Sequence, residues 1–259
     1  EWPKNRDLSD VPPAEYVPRL RGDFSAAAGD VARTEARARQ MNQPSILRWT
    51  LLLRLQLWLR TGGGSPDEMQ ACLTEIQAIP AYKSPVEELS VRGHGSLLAC
   101  RHAQGGEVLA QAEAVLALTH RVAPGRFHAL ATLQLTLDAV MFMAFDRSGD
   151  DRARELARAL TERFVKLSRH MGIFEPRSLL YAGQAAALTG RSTEALGAWR
   201  KGLMLAQRRA LDYDAARLNW MLSLYLHEEQ AQRHELAATQ LFAICGVTFP
   251  YPFIPTAPG

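Results

Sequence analysis

The residues with the most obvious chemical potential in this sequence are two histidine–glutamate steps towards its C-terminal end. His227 precedes two glutamates, and His234 precedes Glu235. A helical zinc site of the metalloprotease type needs two histidines four residues apart, so that both imidazoles lie on one helix face. These two histidines are seven residues apart, and we expect a loop between them. The spacing therefore predicts a solvated turn between helices rather than a metal site.

Asp138 is a second candidate because it lies in a long apolar stretch, residues 130–145. A buried carboxylate must be ion-paired or protonated, since burying it alone is costly. Arg126 and His128 are not one turn away on the same helix, so its partner must come from a neighbouring helix. Two interpretations stay open. Asp138 either fixes helix register through a buried hydrogen bond or lines a groove where it contacts a ligand.

The remaining candidate motifs favour structural roles. Asp146 and residues 150–151 form an acidic group with the oxygen ligands that a divalent cation prefers, but Asp150 also fits the N-cap of the helix that follows. The glycines of residues 62–65 follow a helix rather than a strand and lack the lysine of a phosphate-binding loop. The glycines of residues 93–96 lack the order of a nucleophile elbow and fit close helix packing. The sequence thus predicts no catalytic residue, no metal and no cofactor.

The elements that would position any site are helices. A period near 3.6 residues runs through almost every segment between chain breakers, and no segment alternates convincingly. Ser65, Pro66 and Glu68 occupy the N-cap, first and third positions typical of a helix start. Helices are predicted over residues 44–60, 66–79, 87–102, 107–121, 127–145, 150–171, 177–188, 192–208, 213–227 and 233–244. The predicted fold class is therefore all-α.

Composition narrows the functional classes. The 259 residues are 47% hydrophobic, which is enough for a sizeable core without disulfides or metals. Thirty basic residues against 27 acidic ones give a net charge of +3, too small for a dedicated nucleic-acid binder. Three widely separated cysteines favour a reducing, cytoplasmic setting. The longest apolar run, residues 46–59, contains two arginines and is too short to span a bilayer, so no membrane span is expected.

A repeat signal appears in the second half of the chain. Gly183 lies where a second helix must approach closely, Gly190 ends that helix, and Ala195 and Trp199 follow four residues apart. This order of small residue, glycine, alanine and aromatic resembles the tetratricopeptide (TPR) repeat. In that family the small residue lets two helices touch, and the aromatic fills the gap between successive hairpins. Leu179 stands where the family has a tryptophan.

The spacing of the alanines on the second helices is longer than in a standard TPR unit. The steps are 45, 38 and 42 residues, against about 34 in the family. Elongated hairpins of this kind resemble the C-terminal arrays of bacterial signal-transduction ATPases and soluble class III-type adenylyl cyclases. The resemblance implies a regulatory or scaffolding array, without a particular ligand. The aligned alanines are Ala112, Ala157, Ala195 and Ala237, and the residues that match the end of those arrays are Tyr213, Asp214, Ala215, Arg233, Ala237, Ala238, Phe242 and Gly246.

These observations predict a right-handed superhelical stack of antiparallel helix hairpins, a TPR-like α-solenoid. Residues 1–22 are expected to form an extended proline-rich lead-in, residues 23–247 the repeat domain, and residues 248–259 an extended tail of prolines and aromatics. Because the chain begins without a methionine, we expect it to be a piece of a longer protein.

The expected function is non-catalytic binding of a partner peptide or helix in the concave groove of the stack. Three alternatives stay open: a sensory domain of a larger signalling ATPase or cyclase, an all-α enzyme that uses Asp138 with His128, and a scaffold that assembles with copies of itself or with a larger complex. The groove candidates are the polar residues on the presumed first helices: Arg48, Arg54, His94, Arg101, Asp138 and Asn219.

Overall fold

The computed structural model describes residues 22–80, 84–123, 127–145 and 150–247. Within these ranges the chain forms eleven α-helices and no strand, which confirms the all-α class. The predicted tail, and the predicted lead-in apart from residue 22, lie outside the described residues. The helices are α1 (Phe24–Gln40), α2 (Pro44–Thr61), α3 (Pro66–Ala78), α4 (Pro85–Arg101), α5 (Gly105–Thr119), α6 (Phe127–Phe145), α7 (Asp151–Ser168), α8 (Glu175–Leu188), α9 (Ser192–Arg208), α10 (Asp212–Tyr225) and α11 (Glu228–Ile244).

The local signals for helix starts are confirmed. The Ser65 hydroxyl accepts the Glu68 backbone N–H at 3.2 Å, and the Glu68 carboxylate accepts the Ser65 N–H at 2.7 Å. This capping box satisfies two backbone donors that the first turn of α3 would otherwise leave unpaired. Asp150 caps α7 by accepting the Arg152 N–H at 2.9 Å. Its capping role is therefore confirmed, while Asp146 lies outside the described residues.

Two helix predictions need correction. Helix α1 was not predicted, because only Phe24, Ala27, Val31 and Ala38 are buried on it and the rest of its sequence is alanine, glycine, polar and charged residues. Helix α11 begins at Glu228 rather than five residues later, so the loop predicted before His234 is wrong. Acidic residues in the first turn stabilise a helix there through its dipole, and α11 begins with two glutamates.

The helices pack in a regular order. Consecutive helices contact one another, and α2, α4, α6, α8 and α10 also contact each other in sequence, forming a continuous inner layer. Helix α6 lies at its centre, with 16 of its 19 residues buried. By length and composition alone α6 would be able to cross a membrane, but 89% of its apolar window is buried inside the fold. A buried core helix passes the same test, so the absence of a membrane span stays a prediction.

The two ends of the helix series meet. The ring of Phe24 on α1 lies 5.1 Å from the ring of Tyr213 on α10, measured between centroids. The Arg60 guanidinium, at the end of α2, lies 5.1 Å from the centroid of the same tyrosine ring. A Cβ atom added to Gly22 would lie 2.6 Å from the sulfur of Cys245. Residues from the two ends of the described helix series therefore contact one another.

Small residues set two of the closest helix contacts. A Cβ atom on Gly183 would lie 2.3 Å from Trp199 Nε1, which confirms that this glycine permits close approach of α8 and α9. Trp199 is fully buried and donates its indole N–H to the Leu180 carbonyl at 3.1 Å. On α4, Gly93 faces Thr132 in the same way, but a Cβ on Gly95 would meet nothing within 4 Å. The packing explanation is thus right for Gly93 and wrong for Gly95.

Three of the four aligned alanines are fully buried on the second helices α5, α7 and α9. On α11 the alignment is one residue out of register, since Ala238 is buried and Ala237 is only half-buried.

Candidate functional site

The six residues predicted to line a concave groove do not line one open surface. Because the first helices pack against each other as the inner layer, most of these polar side chains are enclosed within the fold. Arg54 and Arg101 are partly buried. The four buried residues are Arg48, His94, Asp138 and Asn219.

Asp138 lies at the centre of a buried ionic cluster. Its Oδ1 atom accepts hydrogen bonds from the Tyr181 hydroxyl at 2.7 Å and from the Arg217 guanidinium. Burial and the neighbouring carboxylate raise the pKa of Tyr181 well above its usual 10.0, so the phenol remains protonated and donates. Burial lowers the pKa of Arg217, but the Asp138 carboxylate together with Tyr181 and Tyr213 outweighs that effect, so the pKa lies well above its usual value and the guanidinium stays charged. The predicted partner on a neighbouring helix is confirmed, and the cluster ties α6 to α8 and α10.

A second buried pair lies beside the first. Arg177 on α8 donates to Asp214 on α10 at 2.7 Å, and both side chains are almost fully buried. By contrast, His128 contacts the ring of Trp49, with centroids 4.7 Å apart. It precedes Asp138 by ten residues on one helix, which places the two about 15 Å apart along the axis. The structure therefore does not bring together the pair on which the enzyme alternative depends.

Arg54 belongs to a charge network that joins the first three helices. It lies 2.8 Å from Glu35 on α1 and 4.0 Å from Glu75 on α3, and Arg39 pairs with both glutamates. Its guanidinium also lies 4.9 Å from the ring centroid of Trp58. Arg54 and Trp58 line a groove of about 520 Å³ between α1 and α2. These contacts of Arg54 connect α1, α2 and α3 to one another.

Three more of the predicted residues, Asn219, His94 and Arg101, also make contacts within the fold. Asn219 donates to the Ala215 carbonyl at 2.9 Å, and its amide oxygen lies 2.7 Å from His234 Nδ1. Burial, followed by the nearby Arg200 charge, lowers the pKa of His234 below 6.5. The other contacts join His94 Nδ1 to the Ser90 carbonyl at 2.7 Å, and the Arg101 guanidinium to the Met69 sulfur at 3.8 Å.

A concave surface lies between α3 and α5, with α4 as its floor. It is a groove of about 1170 Å³. Helix α4 presents one complete stripe to it, because its lining positions from Glu88 to His102 recur every three or four residues. The apolar lining residues are Leu73, Ala78, Ile79, Pro80, Pro85, Val91, Gly95, Leu98 and Ala99, and the polar ones are Arg48, Gln70, Gln77, Ser84, Glu88, Arg92, His102, Gln104, Glu107, Gln111 and Arg121. We call this surface the α3–α5 groove.

Charges in the α3–α5 groove are unevenly compensated. Arg92 pairs with Glu88 at 3.1 Å and donates to Gln111 at 3.3 Å. Arg48 is buried, donates to the Ile79 carbonyl at 2.7 Å, and has an Nε–H without a hydrogen-bond partner. No carboxylate in the described part of the chain lies within 4 Å of the Arg48 guanidinium, and exposed Arg121 makes no ion pair there either. Of the six predicted residues, only Arg48 lines this groove.

No protein-family model, curated protein or solved structure matches the chain. The resemblance to TPR-like arrays therefore stays a prediction, and the chemistry of the surface has to be argued from its own residues.

Groups suited to catalysis are scarce in the described residues. No cluster of three histidine, cysteine or acidic side chains with the arrangement of a metal site occurs among them. The three cysteines are free and buried. Burial, with smaller contributions from nearby aspartates, raises the pKa of the Cys100 and Cys245 thiols to about 12. These thiols are therefore protonated, and weak nucleophiles, at neutral pH.

Sequence reasoning missed the α3–α5 groove because its walls come from three helices whose lining residues are mostly glutamines and small apolar side chains. Such residues are ordinary on helix surfaces. One signal was available: Gly95 interrupts a helical pattern without a packing partner, and a glycine there costs helix stability.

Proposed function

We propose that the chain is a non-catalytic interaction module that binds a segment of a partner protein in the α3–α5 groove. The observation that carries this proposal is the groove itself, which is lined by both apolar and polar residues and has a volume of about 1170 Å³. That volume exceeds the roughly 300–1,000 Å³ of small-molecule pockets. Grooves that combine apolar contact with polar side chains are typical of surfaces that hold a partner helix or peptide.

The length of the floor supports a helical segment. The stripe of α4 and its C-cap that lines the groove extends over 15 residues from Glu88 to His102, a rise of about 21 Å, or nearly four helical turns. A helix laid along it would contact α3 on one side and α5 on the other. It would pack as a fourth helix beside three and cover the partly exposed side chains of Ile79, Pro85 and Val91.

The wider architecture is part of the same proposal. We propose that the helices form a right-handed, TPR-like superhelical stack in a cytoplasmic protein. The order of contacts supports this, since an inner layer of alternate helices with outer helices packed on it is the arrangement of helical-hairpin repeats. Three free, buried thiols fit a reducing compartment. The concave groove first expected is filled by the packing of the inner layer, so the proposed binding surface lies between outer helices.

Blocking the groove without disturbing the core tests the proposal. Gly95→Phe adds a ring where a Cβ meets nothing within 4 Å, so it should fill the groove while the chain stays folded. Gly197→Phe is the matched control, because Gly197 lies on the exposed face of α9 and a Cβ there also meets nothing within 4 Å. Peptides of 16 residues would be selected from a random phage-displayed library on the wild-type chain. Their affinities would then be measured by fluorescence anisotropy.

We expect the selected peptides to bind the wild type and the Gly197→Phe variant equally well and to lose at least about tenfold in affinity with Gly95→Phe. Circular dichroism would check that both variants keep their helix content. If every selected peptide binds Gly95→Phe as tightly as the wild type, the α3–α5 groove is not the binding surface.

A further inference from the structure

We infer that Arg48 is the anion-recognition point of the α3–α5 groove, and that the bound segment places an aspartate or glutamate side chain against it. The inference rests on the proposed function and adds the chemistry of the partner: an amphipathic segment with apolar residues on one face and an acidic residue in register with Arg48.

Among the buried arginines of the inner layer, Arg48 and Arg60 have no carboxylate partner in the described residues, and of these two only Arg48 lines the α3–α5 groove. Arg177 and Arg217 each pair with a buried aspartate, and Arg60 lies against the ring of Tyr213. Arg48 is only 6% exposed, yet its single hydrogen bond goes to the backbone carbonyl of Ile79. Its Nε–H is buried without a partner. A buried guanidinium without a counter-ion is unfavourable, so an incoming carboxylate would relieve a cost that the free protein carries.

The chemistry of the guanidinium selects a carboxylate. Its donors form a planar fork that matches two carboxylate oxygens, whereas an uncharged amide or hydroxyl accepts less strongly. Because Arg48 lines the groove while being mostly enclosed, an ion pair there would be shielded from water and less weakened by salt than a surface pair.

The other charges of the groove point the same way. Its lining contains three arginines and two glutamates. Glu88 is already paired with Arg92, which leaves Arg48 and Arg121 facing the single negative charge of Glu107. The groove therefore presents excess positive charge beside its apolar lining residues, and it complements a segment that is both apolar and acidic.

A double-mutant cycle between protein and peptide tests the inference. The probes are peptides selected from the 16-residue library that bind the wild type but not Gly95→Phe. Each peptide is also made with its glutamate or aspartate changed to the corresponding amide. On the protein side, Arg48→Met removes the charge and the unpaired N–H while keeping an unbranched apolar chain in place of the arginine's methylene groups. Arg200→Met, on the exposed face of α9, controls for the general loss of one positive charge.

The selected peptides should contain an acidic residue at a fixed distance from their apolar residues. Changing that residue to its amide should weaken the affinity of the peptide for the wild type about tenfold. Arg48→Met should weaken the affinity for the acidic peptide by the same factor. The two changes together should cost no more than either alone, and Arg200→Met should leave affinity within about twofold.

The outcomes separate this inference from the proposed function. Groove-dependent peptides that lack an acidic residue, or whose affinity is indifferent to the acid-to-amide change, would overturn the role of Arg48 and leave the groove as the binding surface. That change is made on the peptide, so it decides the question even if Arg48→Met folds poorly. If no selected peptide is excluded by Gly95→Phe, the proposed function fails and the inference fails with it.

Discussion

Two glycines on one helix should respond to the same substitution with opposite signs. Gly93 and Gly95 both lie inside α4. Changing either to alanine removes the glycine penalty and should gain about 1 kcal/mol of helix stability. A methyl group on Gly95 meets nothing within 4 Å, so Gly95→Ala should show that gain undiminished. A methyl group on Gly93 would lie 2.5 Å from the Thr132 methyl carbon and 2.8 Å from its backbone oxygen.

The contact at Gly93 involves backbone, which cannot rotate away, so α4 and α6 would have to separate slightly. Overpacking of this kind costs about 1–3 kcal/mol. Because the helix-propensity gain is common to both variants, the difference between them isolates the steric cost, and Gly95→Ala should be the more stable by about 1–3 kcal/mol.

Urea unfolding followed by circular dichroism at 222 nm would measure both variants beside the wild type. Thermal scans should separate them by about 2–4 °C for each kcal/mol, the response expected of a domain of this size. Equal free energies of unfolding for the two variants would refute the reasoning, since they would mean that α4 and α6 do not approach closely at Gly93.

Three further predictions concern the buried residues. Asp138→Ala leaves Arg217 buried without a counter-ion and should cost about 3–5 kcal/mol of unfolding free energy, while the double change Asp138→Leu with Arg217→Met should cost much less; equal losses in urea unfolding would contradict the ion-pair account. Gly183→Ala would place a methyl 2.3 Å from a buried indole nitrogen, and it should destabilise by about 1–3 kcal/mol in the same assay. The Cys100 thiol, whose pKa burial raises from 9.0 to about 12, should resist Ellman's reagent at pH 8 until urea unfolds the chain. Because the pKa of this thiol is higher in the folded chain than in the unfolded one, its contribution to stability is full below pH 9 and is lost as the pH rises through about 12. A urea midpoint that stays constant between those pH values would contradict this prediction.

Much of the fold could be predicted from the sequence, because helix signals are local. The capping box at Ser65, the N-cap at Asp150 and the close approach at Gly183 each depend on residues near in sequence or on one side-chain size. Asp138 could be identified as needing a distant partner, but Arg217 could not be named because it lies 79 residues away. Pairing over that distance is set by tertiary packing, which no local period encodes.

The candidate surface could not be predicted for the same reason. The expectation of a concave groove assumed that first helices remain open to solvent, whereas most of the polar residues predicted on them are buried against neighbouring helices. Arg48 was singled out by its position on a first helix. Its relation to a groove between outer helices, and its lack of a counter-ion, depend on how α2 meets the end of α3.

The meeting of the two ends has a consequence for how this protein unfolds. In an open array, each hairpin touches only its neighbours, so terminal hairpins can fray one at a time. Here Tyr213 contacts both Phe24 and Arg60, which makes residues near opposite ends of the described chain depend on each other. Loss of the last hairpin would expose the first, so unfolding should be a single cooperative event. Folding should be slow for an all-helical chain, because the contacts that close the structure are among the most distant in sequence.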